Sequence, residues 1–314
     1  MLTVLNSSND PFYNLAFEEY VYQNFCRDDV FLLWKNTPCV VVGRYQNICG
    51  EVQVSALRRA GIPVLRRISG GGTVYHDPGN LNYSLMLPQQ DMDYERCLRP
   101  VIDALNAIGV PAERNRSCDI AIGGQKISGS AQWASHGRLL HHGTLLFNAD
   151  LRALDAITTR HKSDSFNSKG TASAICTVTN IRDHLASFMD MDAFSAALLD
   201  RMLPPGSARL RLTPEQEAQV RQLRDEKYRS WEWIWGKNPA FSMERSGEFA
   251  GSPLRVRYNA RRGVVSDFHL YSDALDCARA EARFNGARLD PDGFAEICLE
   301  LAGPRAEALL ELLI

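Results

Sequence analysis

The amino-acid sequence predicts an α+β fold with a mixed sheet, and three observations carry that expectation. Short β-rich runs and amphipathic helical stretches are interspersed without strict alternation, unlike a doubly wound parallel fold. Between Asp119 and Phe147 turn signals recur about every ten residues, the spacing of an antiparallel meander. After Pro239 the pattern restarts with a hairpin and then helices to Ile314, enough chain for a small α+β accessory domain. The expected organisation is a main domain over residues 1–238 and a small C-terminal domain over 239–314.

Taken in order, Asp10-Pro11 marks a helix start, with Asp10 as N-cap and proline at the first helical position. This helix reaches about Phe25 and presents Leu15, Phe17, Tyr20 and Val21 among Glu18 and Glu19. Val30 to Trp34 and Cys39 to Arg44 are strands separated by a Lys35-Asn36-Thr37-Pro38 turn. Val52 to Ala60 reads as a helix stopped by Gly61; a strand then enters a glycine loop, and Leu81 to Leu87 alternates as a further strand. Asp93 to Ile108 is a helix with Leu98, Ile102, Leu105 and Ile108 on one stripe and Gly109 as its stop. The meander comprises Asp119 to Ile122, a Gly123-Gly124 turn, Gln125 to Ala134, a His136-Gly137 turn and Leu139 to Phe147.

Residues 160–180 are small and polar, with Lys162, Ser163, Asp164, Ser165, Ser168, Lys169 and Gly170, and read as a mobile loop. Helices follow over Met191 to Met202 and from Pro214 to about Arg229, the second opened by a Thr213/Gln216 capping box. The aromatic run Trp231-Glu232-Trp233-Ile234-Trp235 suits core or interdomain packing better than a ligand box. The final hairpin joins Leu254–Tyr258 to Val264–Tyr271 through Arg261-Arg262-Gly263.

Composition narrows the function classes. The 314 residues are 45% hydrophobic and 23% charged, as in ordinary globular chains. A net charge of −2 confines any basic patch to a local site and weighs against nucleic-acid coating. The eight cysteines include no C-x-x-C pair, so neither a zinc site nor a disulfide framework is expected, and reduced thiols fit a cytosol or an organelle matrix, with the cytoplasm the expected location. No apolar run approaches the ~20 residues of a membrane span, and the N-terminus lacks the basic and apolar regions of a signal peptide.

Chemistry concentrates in two stretches. The first is Arg66-Arg67-Ile68-Ser69-Gly70-Gly71-Gly72-Thr73-Val74-Tyr75-His76-Asp77. Three consecutive glycines let backbone N–H groups curl round an anion, and paired arginines add positive charge with fork geometry for phosphate or carboxylate. A plain hairpin turn with two surface arginines is the alternative. The stretch is neither a P-loop nor a dinucleotide fingerprint, because the Gly-Lys-Ser/Thr and the spaced third glycine are missing.

The second is Gly123 to Ala131. Strand periodicity places Lys126, Ser128 and Ser130 on one face and Ile127, Gly129 and Ala131 on the other, as in a strand lining a ligand groove. On the next strand, alternation sends His141 and His142 to opposite faces, so at most one joins a shared site. Asp119 either meets a hydrated magnesium ion or finishes a turn, and no set of zinc ligands at catalytic spacing is present. Cys176 reads either as a nucleophile or as a small packed residue.

In combination these segments resemble the lipoate-protein ligase family of the biotin/lipoate ligase superfamily, in its two-domain form. The matching segments are Asp10 to Glu19, Trp34 with Asn36, Val41 to Asn47, Arg66 to Asp77, Gly79-Asn80, Asp119-Ile120, Lys126 to Ala131 and His141 to Leu146. Trp231-Glu232-Trp233 with Pro239 to Ser242 looks like the family's junction into its accessory domain. Each piece is weak alone; their order along nearly the whole chain is specific.

The resemblance implies a two-step enzyme. Lipoate and MgATP give lipoyl-AMP and pyrophosphate, and a lysine of an acceptor lipoyl domain then takes the lipoyl group as an amide. The implied acceptors are lipoyl domains of 2-oxoacid dehydrogenase E2 subunits and the glycine cleavage H protein, with octanoate a possible competitor of free lipoate. By the same resemblance Arg67, Gly72, Thr73, Val74, Tyr75, Asp119 and Lys126 meet ATP, with Asp119 also the candidate metal contact. Arg67, Ser69, Gly70, Gly71, His76, Lys126, Ser128, Gly129, His142 and Gly143 bound the lipoate site, and Lys126 is the catalytic cation. No nucleic-acid or membrane partner is implied. One departure is Cys118, where the family often has asparagine. Related octanoyl transferases use a cysteine after the His-His-Gly strand, which makes Cys176 the nucleophile of an ATP-independent transfer alternative. A non-catalytic nucleotide- or RNA-binding module built on Arg58, Arg59, Arg66 and Arg67 is disfavoured by the acidic balance.

Overall fold

The computed structural model describes residues 1–89, 93–115, 118–158, 164–174 and 176–314; Lys162 and Ser163 of the expected loop lie outside the described residues. The strands of the first half are β1 (Leu2–Val4), β2 (Val30–Trp34), β3 (Cys39–Val42), β4 (Val64–Arg66), β5 (Val74–His76) and β6 (Asn80–Pro88). They continue as β7 (Glu113–Asn115), β8 (Asp119–Ile122), β9 (Gln125–Ser135) and β10 (Arg138–Leu146). Beyond these come β11 (Ser165–Ser168), β12 (Ala208–Leu210), β13 (Phe241–Phe249), β14 (Ser252–Arg261) and β15 (Val264–Ser272).

An eight-stranded sheet in the order β12-β1-β2-β6-β10-β9-β8-β7 is mixed: β1 runs parallel to β12 and β2, and its other neighbours pair antiparallel. The meander forms as expected. Its two turns place Gly123, Gly124, His136 and Gly137 at positive φ, the conformation a tight hairpin needs. Alternation along β2 divides two cores, with Phe31 in one and Val30 and Leu32 in the other. Phe31 shares its core with Leu98, Val101 and Leu105 of helix Tyr94–Ala107 and Phe194 of helix Met191–Met202.

Helix Pro11–Asn24 covers the other face. The Asp10 carboxylate accepts from the Phe12 N–H at 2.9 Å, and Leu15, Phe17, Tyr20 and Val21 are buried as the stripe requires. Helix Pro214–Leu223 has the expected capping box, but its last turn winds as a π-helix over Arg224–Tyr228. That turn brings Lys227 and Tyr228 within 2.7 and 2.6 Å of the buried Glu19 carboxylate.

A three-stranded sheet, β4-β3-β5, lies between the main sheet and the C-terminal unit. Val40, Val42 and Tyr75 from it share one core with Val256, Phe268, Phe284 and Leu313 of the last 76 residues. The four-stranded antiparallel sheet of that unit runs β11-β13-β14-β15. Its first strand corrects the reading of 160–180 as a loop. Ser165–Ser168 has weak strand propensity, yet it pairs with Glu244 to Phe241, and the Phe166 ring packs 5.3 Å from Phe241. Pairing to an open strand edge supplies what local sequence lacks.

Arg66 joins the layers. It is fully buried, and its guanidinium donates to the carbonyls of Ile234, Gly43, Arg44 and Gln46 and to Asn238 Oδ1, at 2.7–3.2 Å. Its own carbonyl accepts from Trp233 Nε1 at 2.7 Å, so the aromatic run packs across the junction as expected. Burial, then the neighbouring Arg67, pull the Arg66 pKa down to about 10. Replacing Arg66 with leucine strands these acceptors in a dry interior. The expected loss is about 3 kcal/mol or more, read by urea unfolding; a loss below about 1 kcal/mol would contradict the keystone role.

Candidate active site

The site begins with an irregular ladder. Asp119 pairs with Gly129 and Ile120 with Ser128, but Ala121 then pairs with Lys126, leaving Ile127 as an extra residue. A bulge of this kind breaks the two-residue alternation. Ile127 and Ser128 are both fully buried on the side of Ile120, whereas Lys126 projects with Gly129 and Ala131 towards the opposite face. Of the expected group of Lys126, Ser128 and Ser130, the bulge removes Ser128, while Ser130 still lines the cavity with Lys126. Ser128 does not line the cavity, and the Ser130 hydroxyl donates to the Cys118 carbonyl at 2.7 Å.

Lys126 Nζ lies 2.9 Å from Asp119 Oδ1, with the lysine side chain 24% and the aspartate 6% exposed. The lysine stem lies across Gly129, where an added Cβ would fall 2.7 Å from Nζ. Its backbone is clamped from the other side, since Lys126 N–H donates to Thr177 O at 2.9 Å and Thr179 N–H to Lys126 O at 3.0 Å.

The glycine loop forms the facing wall. Gly71 sits at φ +85°, and its carbonyl oxygen would be 2.1 Å from a Cβ on Gly43, so both positions require glycine. Arg67 threads beneath: Nη2 donates to Gly70 O and Gly72 O at 2.6 and 2.7 Å, Nη1 to Val41 O, and Nε to Ser69 Oγ. Burial pulls its pKa down to about 10, a cost that Glu18 partly offsets. Arg67 thus holds the loop while its charge stays at the cavity wall. Ser173 closes over the loop. Its hydroxyl accepts from Thr73 N–H and Gln46 Nε2, both at 2.9 Å, and donates to Glu51.

Deeper in, the Glu18 carboxylate accepts from His142 Nδ1 at 2.9 Å, and His142 Nε2 lies 2.6 Å from the Ser69 hydroxyl. Ser84 donates to the same carboxylate, and Trp34 Nε1 donates to Ser84 Oγ at 3.2 Å. His141 points into the opposite core, between Gln132 and Tyr83, so the two histidines separate as alternation requires.

These walls enclose a cavity of ≈ 280 Å³. Of the expected site residues it gathers Arg67, Gly71, Gly72, Thr73, Val74, His76, Asp119, Lys126, Gly129, His142, Gly143 and Cys176. Four fall outside its lining. Ser69 and Gly70 act through Arg67 and His142, Ser128 is turned away by the bulge, and Tyr75 alternates into the C-terminal core. Sequence reasoning gave no site role to Val41, Asn82 or Ser173, which line the cavity, or to Glu18 behind it. The signal available for Glu18 was its place within the Asp10 to Glu19 segment.

Burial holds the pKa of both His76 and His141 down to about 3, with neighbouring charges adding to the effect. Unfolding releases each towards its ordinary value of 6.5, so the unfolded chain binds more protons below that pH. The stability conferred by keeping them neutral is present above about pH 6.5 and is lost as pH falls towards 3. Between about pH 7.5 and pH 5 the two sites together should cost roughly 4 kcal/mol, measured as unfolding free energy. A flat profile over that interval would refute this burial account.

Known proteins show the same architecture. The family described as lipoyl protein ligase A/B catalytic domain matches residues 10–203. The lipoate-protein ligase LplJ of Bacillus subtilis is 34% identical over 285 residues, covering 87% of this chain and 85% of its own. A Thermoplasma acidophilum protein described as a lipoate protein ligase and solved with lipoic acid superposes with a TM-score of 0.62 at 26% identity, over 75% of this chain and 98% of its own. A second structure from that organism, a bipartite ligase studied with its E2 lipoyl domain, gives 0.64 at 25% identity over 74% and 94%. A lipoate-protein ligase A bound with ATP gives 0.62 at 27% identity over 74% and 97%. With the matched family spanning well over half its length, this chain belongs to the lipoyl protein ligase A/B family.

Proposed function

We propose that this protein is a lipoate-protein ligase that activates lipoate with ATP and passes the lipoyl group to a lysine of a lipoyl domain. The observation that carries this reading is the Lys126 ammonium, held by Asp119 over Gly129 between the glycine loop and an apolar-ended cavity. Lipoate lies with its carboxylate near Lys126 and its ring towards Leu15, Trp34 and Val41. The carboxylate attacks the α-phosphorus of ATP and pyrophosphate leaves. This brings two anions together, and a fixed ammonium relieves the repulsion most as charge builds in the transition state. In the second step the acceptor lysine amine attacks the acyl carbonyl and AMP departs with the bonding pair, Lys126 again facing the phosphate.

The loop amides of Gly71 and Gly72 offer donors to the phosphates, with the Arg67 charge beneath them. Magnesium enters with the nucleotide as part of the substrate, and Asp119 is the carboxylate proposed to meet it. The acceptors we assign are lipoyl domains of 2-oxoacid dehydrogenase E2 subunits and the glycine cleavage H protein, in the cytoplasm. Residues 239–314 act as the accessory unit. Cys176, in the cavity lining, has no covalent part in this sequence of steps.

Lipoate-dependent exchange of labelled pyrophosphate into ATP, without acceptor protein, tests the first step directly. Exchange is expected, and its absence with folded protein and magnesium would sink the ligase reading. Lys126→Ala should lower exchange by about 10²-fold or more with unfolding stability retained; near wild-type exchange would remove Lys126 from its role. Gly129→Ala should cost about tenfold in exchange rate, because the new methyl displaces the ammonium from Asp119.

A further inference from the structure

The inner wall of the cavity carries a polar atom that the protein leaves unanswered. Of the buried side-chain nitrogens and oxygens lacking a hydrogen-bond partner among the described residues, His76 Nε2 alone belongs to a residue lining this cavity. His76 is 3% exposed. It shares its strand face with Val74, which also lines the cavity, while Tyr75 between them points into the other core. The Trp34 ring meets it edge-on with centroids 6.0 Å apart, and Leu15 and Val41 complete this end.

The protonation pattern of this imidazole is dictated from outside. Asn14 Nδ2 donates to the carbonyls of Ser8 and Lys35 and to Asn36 Oδ1, which fixes the orientation of both amides. Asn36 therefore presents Nδ2 to His76 Nδ1, at 3.0 Å. An amide nitrogen only donates, so Nδ1 accepts, and the single proton of a neutral ring sits on Nε2. Burial, Arg67 and His142 all disfavour the charged ring. The result is a neutral N–H donor with no partner among the described residues, in the cavity wall beside Trp34.

A saturated chain ending there would leave this donor unpaired, whereas a disulfide ring offers soft, polarisable acceptor sulfurs. We propose that His76 is a specificity-determining residue that selects a dithiolane-ended acid over an alkyl-ended one by donating Nε2–H to a ring sulfur. This rests on the lipoate reading of the cavity and adds the basis of its selectivity.

The test compares kcat/KM for adenylation of lipoate with that of cyclopentyl-pentanoate, which keeps the chain and ring but replaces both sulfurs with carbon. Wild-type protein should favour lipoate, and His76→Leu should lower that ratio about tenfold; a ratio unchanged within about twofold overturns the proposal. His76→Gln, which restores an N–H donor, should recover preference that His76→Leu loses. Imidazole ¹⁵N–¹H spectra of wild-type protein give an answer that does not depend on variant folding. The Nε2–H resonance should move on adding lipoate and stay near its free position with the carbocycle, and equal shifts for both ligands would refute the bond. Failure of wild-type protein to adenylate lipoate at all would instead count against the ligase reading itself.

Discussion

Two adjacent buried guanidinium groups set the frame in which the other parts of the site are placed. Arg66 and Arg67 leave one strand in opposite directions, and their hydrogen bonds within the protein go to neutral oxygens, chiefly backbone carbonyls. A buried charge is tolerable only where its donors are satisfied, and five N–H groups in a rigid fork suit a cluster of carbonyls better than an ammonium would. Arg66 spends its fork on the segment 43–46 and on Ile234 and Asn238, which fastens the junction to the C-terminal unit. Arg67 spends its fork on Val41, Gly70 and Gly72, which shapes the glycine loop. The positive charge that remains lies under backbone amides at the cavity wall, where it favours an anion.

Across the cavity the decisive feature is a single inserted residue. Without the bulge at Ile127, strict alternation would separate Lys126 from the face that carries Gly129 and Ala131. With it, the ammonium reaches Asp119 and lies opposite the glycine loop. Lys126 is paired with one carboxylate and partly exposed, facing the cavity. The glycines at 129 and 43 are then requirements of space: one leaves room for a lysine stem, the other for the close approach of the Gly71 carbonyl.

The C-terminal unit is tied to this site by more than its linker. Residues 165–168 form the edge of its sheet, Ser173 covers the glycine loop, and 177–179 pair with Lys126. One short stretch of chain therefore touches the C-terminal sheet, the glycine loop and Lys126 in succession. The shared core of Val40, Val42 and Tyr75 with Phe268 and Leu313 stabilises the arrangement by burying apolar surface.

Local sequence determined the regular parts of the molecule: the Asp10-capped helix, the 94–107 helix with its glycine stop, the meander with its glycine turns, and the opposition of His141 to His142. These follow from capping, periodicity and turn chemistry, which act over a few residues and can be read from them. The ordered motifs also marked most of the cavity wall. Tertiary structure alone decided the rest. It turned Ser128 away by a bulge, made a strand of polar residues 165–168, buried both arginines, and set Glu18 behind His142 and an unpaired nitrogen of His76 in the cavity wall. Each of these depends on a partner distant in sequence, and no local preference encodes which carbonyl, strand edge or carboxylate will be there.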